Sequence, residues 1–150
     1  MKCPQILSVC LLLSLAGCGH SDREKSGGGK RHLQSVNLTN ADLSHLNLEH
    51  VNLSNSKLVN SNLTKTNLSD SMLVNVNFQG AYLFEAVLID TNCRGADFLN
   101  ANLEYANFEG ADLTHARFTG AEVNHTNFKG VEGLSEEMKS KFASKGAKVD

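Results

Sequence analysis

Residues 96–115 read ADFLN ANLEY ANFEG ADLTH, four consecutive blocks of five with a bulky apolar residue in the middle of each. The register extends in both directions from this stretch. Toward the N-terminus it runs through Cys93, Leu88, Leu83, Phe78, Leu73, Leu68, Leu63, Leu58, Leu53, Leu48 and Leu43 to Leu38, and toward the C-terminus through Phe118 and Val123 to Phe128. These are nineteen central positions without a slip. Two residues before each centre lies a smaller set of nine Ala, three Ser, three Thr, three Val and one Leu.

A period of five suits no continuous regular element. On a helix, successive centres would rotate by roughly 140° and circle the axis. On a flat strand, five steps reverse the face. All nineteen centres stay on one side only if the chain turns after every block. The two inward positions are separated by two residues, which is strand spacing, and the other three supply a corner. The residue before the centre is Asn ten times and Asp three times, and both types tolerate turn-like conformations and hydrogen-bond their own backbone. Two residues after the centre, Gly80, Gly95, Gly110, Gly120 and Gly130 share a slot with Asn40, Asn55, Asn60, Asn75 and Asn100. Proline is absent from the repeats, as a ladder that needs its backbone donors requires.

The motif A-[DN]-L-x-x, present as Ala41-Asp42-Leu43, Ala101-Asn102-Leu103 and Ala111-Asp112-Leu113, resembles the pentapeptide-repeat family over residues 36–131. Spacing by itself yields a turning solenoid. The resemblance implies its form: an all-β, right-handed quadrilateral β-helix of about five coils, with four blocks per coil. Stacked neighbours then lie twenty residues apart. Leu38, Leu58, Phe78, Phe98 and Phe118 would form one internal column, and Leu48, Leu68, Leu88, Phe108 and Phe128 the opposite one. The rod would be roughly 20–25 Å long at the spacing of β-strands.

The chain divides into residues 1–17, 18–32, 33–133 and 134–150. The first segment has a basic Lys2, a short apolar run from Ile6 to Ala16, and the ending Leu15-Ala16-Gly17-Cys18. It is too short to span a bilayer and resembles a bacterial lipobox, which makes residues 1–17 a lipoprotein signal peptide and Cys18 the acylated first mature residue. Cys3 and Cys10 would leave with the signal, and Cys93 falls at a centre, so no disulfide pair remains. The resemblance implies a chain anchored by lipid to a membrane of the bacterial cell envelope. Gly19 after the cysteine favours the outer membrane, facing the periplasm, in a Gram-negative cell. Residues 18–32 read as a flexible polar tether. Its Gly27-Gly28-Gly29 has no flanking strand and no following Lys-Ser/Thr, so it is not a phosphate loop. After Gly133 the period changes. Leu134, Met138 and Phe142 are spaced by four, Ser135 precedes Glu136 and Glu137, lysines follow, and Gly146 ends the segment. This predicts a short helix that covers the open last coil.

Nothing in the sequence makes an active site, a metal site or a cofactor site. His45, His50, His115 and His125 fall on corners that point apart, and the Ser and Thr residues lack a base at useful spacing. The sequence therefore predicts a non-catalytic protein. Residues 33–131 hold ten acids and five bases, a net charge of about −5 that argues against nucleic-acid binding. Acidic relatives that mimic DNA and bind gyrase make an inhibitor or decoy rod the second functional class. Outward positions are polar in most blocks but become Met72, Val74, Tyr82, Phe84, Val87, Ile89 and Leu99 in the middle. Apolar outward residues of this kind mark an interface, here for an envelope protein or for a second copy. The favoured reading is a membrane-anchored interaction or scaffold protein.

Overall fold

The computed structural model describes residues 31–150. The signal peptide, Cys18 and nearly all of the tether lie outside the described residues. From Arg31 onward the chain winds as a four-sided coil. Parallel bridges join residues twenty apart: Asn37 to Lys57, Lys57 to Asn77, Asn77 to Asp97 and Asp97 to Arg117 on one side. We call this side face 1. Face 2 is the column Asp42, Asn62, Tyr82, Asn102 and Glu122; face 3 is Asn47, Asn67, Val87, Asn107 and Asn127; face 4 is Asn52, Met72, Asn92, Asp112 and Glu132. Among the described residues, the only bridges long enough to form named strands are β1 (Arg31–His32) and β2 (Val51–Asn52), which pair in parallel. The ladder thus begins before Leu33, which packs against the top of the core.

The main-chain donors of one block explain its composition. Leu38 N–H donates down to Lys57 C=O at 2.8 Å and Asn40 N–H to Val59 C=O at 2.9 Å, while Lys57 N–H donates up to Val36 C=O at 2.9 Å. Ala41 N–H closes the corner onto Leu38 C=O at 3.0 Å. One amide remains, that of the residue after the centre. In all thirteen blocks with Asn or Asp before the centre, that side chain's Oδ1 accepts this last N–H, as in Thr39 N–H to Asn37 and Thr114 N–H to Asp112. As their type suggests, the Asn and Asp before the centre hydrogen-bond their own backbone two residues on; they do so from the straight bridged side, not from within the turn, and satisfy the donor that the ladder leaves over. Hydrogen bonds from the Ser44 hydroxyl and amide hold the Asp42 carboxyl below its usual range. At Asp112 burial raises the pKa, but bonds from Thr114 and the Arg94 guanidinium outweigh it and the net shift is downward.

The chain turns on the two residues after the centre, and the second of them carries the positive φ. Every such residue from Ser35 to Gly130 has φ between 53° and 72°, the positive value required at the third position of a type II turn. Gly and Asn in this slot follow directly, and Lys65, Glu85, Tyr105 and His125 accept the same strained conformation. Gly133 is bound more tightly. Its φ is 85°, and an added Cβ would press into the backbone of Thr114 and Leu113. A Cβ at Gly80 would meet only the side-chain oxygen of Asn60, which can swing away. Gly133→Ala is expected to lower stability by ~1–3 kcal/mol, and Gly80→Asn to stay within ~0.5 kcal/mol of wild type. Urea melts of both variants test this, and equal losses would contradict it.

The core is the stack of centres and the smaller residues beside them. Phe78, Phe98 and Phe118 stack at 5.0 and 5.1 Å, Phe108 and Phe128 at 5.4 Å, and the two columns meet edge-on at 5.6 and 6.0 Å. Buried hydroxyls in the smaller set are satisfied by main chain. Ser71 Oγ accepts from Val51 N–H and donates to Leu48 C=O, both at 3.1 Å, so a side chain from the next coil stitches the corner above it. Cys93 is fully buried and its thiol is pushed up to about 12 by desolvation, so it behaves as a small apolar filler. The expected capping helix is α1 (Glu136–Ala143). Ser135 caps it by accepting Met138 N–H at 3.2 Å, and Phe142 lies on Phe128 at 5.1 Å as the next ring of that column. Beyond Gly146 the tail adds one more rung, with Phe128 N–H donating to Lys148 C=O at 2.7 Å.

Candidate interaction surface

The twenty-residue register sorts the outward apolar residues. Tyr82 and Phe84 lie on face 2 and Val87 and Ile89 on face 3 of the same coil, so these four meet around one corner. Met72 and Val74 belong to face 4 of the coil above, and Leu99 to face 1 of the coil below. Asn77 and Gln79 separate the first pair from Tyr82, and Asn92 and Arg94 separate Ile89 from Leu99. The seven residues are therefore one cluster of four and three outliers. Within the cluster Tyr82 is 57% exposed, while Phe84, Val87 and Ile89 are half-buried between rungs.

Tyr105 completes the cluster. It occupies the face 2/face 3 corner one coil below, 52% exposed, with its ring 5.6 Å from Phe84 edge-on and 4.8 Å from His125 in a stack. A bulky residue at positive φ is uncommon and strained, and here two ring contacts hold it. The sequence contained the signal: the corner column reads His45, Lys65, Glu85, Tyr105, His125, and Tyr105 is its one aromatic phenol.

The patch also departs from the Asn/Asp rule. Tyr82 and Val87 stand where the ladder's spare amide finds its acceptor, and their side chains offer none in its place. The N–H groups of Phe84 and Ile89 consequently have no acceptor among the described residues, as at Val59, Thr119 and Asn124 in other blocks without Asn or Asp. Each omission forgoes about 0.5–1.5 kcal/mol.

Charge is distributed unequally around the rod. Face 2 with its following corner carries Asp42, Glu85, Glu104 and Glu122; face 3 with its corner carries Glu49, Asp70, Asp90 and Glu109. Lys65 and Lys129 are the only repeat-region Lys or Arg residues there, so these two sides hold eight acids against two bases, or −6. Within residues 33–131, faces 1 and 4 hold Asp97 and Asp112 against Lys57, Arg94 and Arg117, or +1. Both of those acids are paired, Asp97 with Arg117 and Asp112 with Arg94, each at 3.3 Å. Acids that look scattered in sequence are gathered on two adjacent sides, because offsets of twenty collapse onto one column.

A second feature lies at the C-terminal end. A cleft of about 340 Å³ opens between face 1 and α1, lined by Ala116, Phe118, Met138 and Phe142 with Arg117 and Lys141 at its margin. No group of three metal-ligating side chains occurs among the described residues, and no helix there is long and apolar enough to cross a membrane.

Comparison with known proteins agrees with this geometry. The family model described as Pentapeptide repeats matches in eight copies over residues 32–70, 52–88, 61–98 and 91–130. The crystal structure of the pentapeptide repeat protein Rfr23 from the cyanobacterium Cyanothece 51142 is similar at 32% identity and TM-score 0.66, covering 67% of this chain and 82% of that one. A pentapeptide repeat protein of the Arabidopsis thaliana thylakoid lumen is similar at 24% identity and TM-score 0.53, covering 77% and 81%. No curated protein matches. The four-sided register, the match along the repeats and the likeness to Rfr23 together make this chain a member of the pentapeptide-repeat family, built as a right-handed quadrilateral β-helix.

Proposed function

We propose that the protein is a non-catalytic interaction protein of the bacterial cell envelope, held at a membrane by acylated Cys18 and presenting the face 2/face 3 corner to a partner. The observation that carries the interaction is the cluster of Tyr82, Phe84, Val87, Ile89 and Tyr105 on a rod whose other outward positions are mainly polar. The anchoring rests on Leu15-Ala16-Gly17-Cys18. Two or more acyl chains hold a protein stably where one is marginal, and a tether of about a dozen residues would let the rod reach partners near the bilayer.

Cys18→Ser is expected to abolish acylation and signal cleavage, so that the chain keeps its full length and takes up no labelled palmitate. Globomycin should likewise block maturation of the wild type. A wild-type chain recovered from the cytosol with an unmodified Cys18 would overturn the anchoring.

The charge asymmetry favours a second reading, an acidic decoy that occupies the basic substrate groove of an enzyme. This reading requires the rod to meet such an enzyme in its own compartment. Cytosolic, unlipidated protein would therefore favour the second reading as it removes the first. Lipidated envelope protein would do the reverse.

A further inference from the structure

Resting on the reading of the rod as an interaction protein, we infer that the patch of Tyr82, Phe84, Val87, Ile89 and Tyr105 receives a cationic amphipathic segment of another protein, and does not pair with a second copy of this chain.

The apolar centre of the patch fixes half of that chemistry. Tyr82 and Tyr105 offer rings that are more than half exposed, and such rings take both apolar side chains and the stems and heads of Lys or Arg. The amides of Phe84 and Ile89 add two main-chain donors without an internal acceptor among the described residues, suited to carbonyls of an incoming backbone. The rim fixes the other half. Glu104 and Glu109 lie one rung below Phe84 and Ile89 in the same columns, and Asp90 stands at the corner beside Ile89. Lys65, the nearest cation above, is already engaged by Glu85 at 3.4 Å.

Charge then discriminates among occupants. A second copy would bring the same two sides, −6 in all, against −6, and opposed like charges disfavour that register. An anionic lipid surface is repelled in the same way. A segment with Lys or Arg flanking a few apolar residues satisfies rings, amides and carboxylates together, and the acidic sides would speed its approach.

The test uses the full lipidated chain in a mild non-ionic detergent and three labelled peptides: one alternating Lys and Leu, one alternating Glu and Leu, and one alternating Lys and Ser. By fluorescence anisotropy the Lys/Leu peptide is expected to bind at least about tenfold more tightly than either other peptide, with affinity falling as salt rises. The double variants Phe84→Ser with Ile89→Ser, and Glu104→Lys with Glu109→Lys, should each weaken it at least about tenfold, while Lys57→Ser on face 1 leaves it unchanged. Circular dichroism confirms that the variants remain folded. Equal binding of the Lys/Leu and Lys/Ser peptides, or insensitivity to either double variant, overturns the inference. Photocrosslinking from position 84 in intact cells separates the two levels. Capture of a second copy, or of a partner whose crosslinked segment is acidic, refutes the cationic occupant but leaves the interaction reading standing. Absence of any crosslink removes both.

Discussion

Phe98→Ala is expected to destabilise the rod by about 3–5 kcal/mol, measured as a lower urea midpoint at unchanged slope. The residue is fully buried, stacked on Phe78 at 5.0 Å and on Phe118 at 5.1 Å, with Phe108 edge-on at 5.6 Å. Two things make the loss large. Three ring contacts disappear with the transfer energy of the side chain. The cavity also cannot close, because the main-chain bonds that link successive coils set the perimeter of the coil and its neighbours are held to the same rungs. Phe98→Leu should cost much less, about 1 kcal/mol, because Leu38 and Leu58 already occupy this column. Equal losses for the Ala and Leu variants would show that the column relaxes and that the argument is wrong.

Phe142→Ala is expected to open the C-terminal end of the rod. Phe142 lies 5.1 Å from Phe128 and 5.4 Å from Phe118 and is 5% exposed, so it replaces the coil that the repeats do not supply. Removing it exposes two aromatic rings and loosens the helix that leads to the final Lys148 rung. Repeat proteins are stabilised chiefly by nearest neighbours, so the ~3–5 kcal/mol local loss should stay local. Hydrogen exchange should quicken at Phe128 and at Lys148, whose amides bond across that last rung, while protection at Leu58 and Leu63 holds. Association at higher concentration should follow, since an uncovered coil end is a template for pairing. Uniform loss of protection along the rod would instead indicate one all-or-none unit.

Much of the fold was legible because one residue in five is under a single constraint. The centres and the helix with its Ser135 cap and Phe142 follow from periodicity and residue type, whereas the paired columns rest on the family resemblance. Asn and Asp before the centre hydrogen-bond their own backbone as their type suggests, but residue type does not say that the bond falls on a bridged side and not in the turn. Tyr105 does not stand out in the sequence, because its corner slot also takes Lys, Glu and His. It contributes only through its ring contacts with Phe84 and His125, and those depend on the coil above and the coil below.

The period of five by itself determined that the chain must turn after every block, which residues face inward, and where the repeats stop, since each is a property of one block and its local chemistry. The columns became concrete only in the tertiary structure. Stacking at twenty residues decides which outward side chains become neighbours, so Tyr82, Phe84, Val87, Ile89 and Tyr105 converge while Met72, Val74 and Leu99 separate. The same stacking gathers eight of ten acids onto two sides. A surface is made of neighbours in space, and in a solenoid those neighbours come from different turns of the chain.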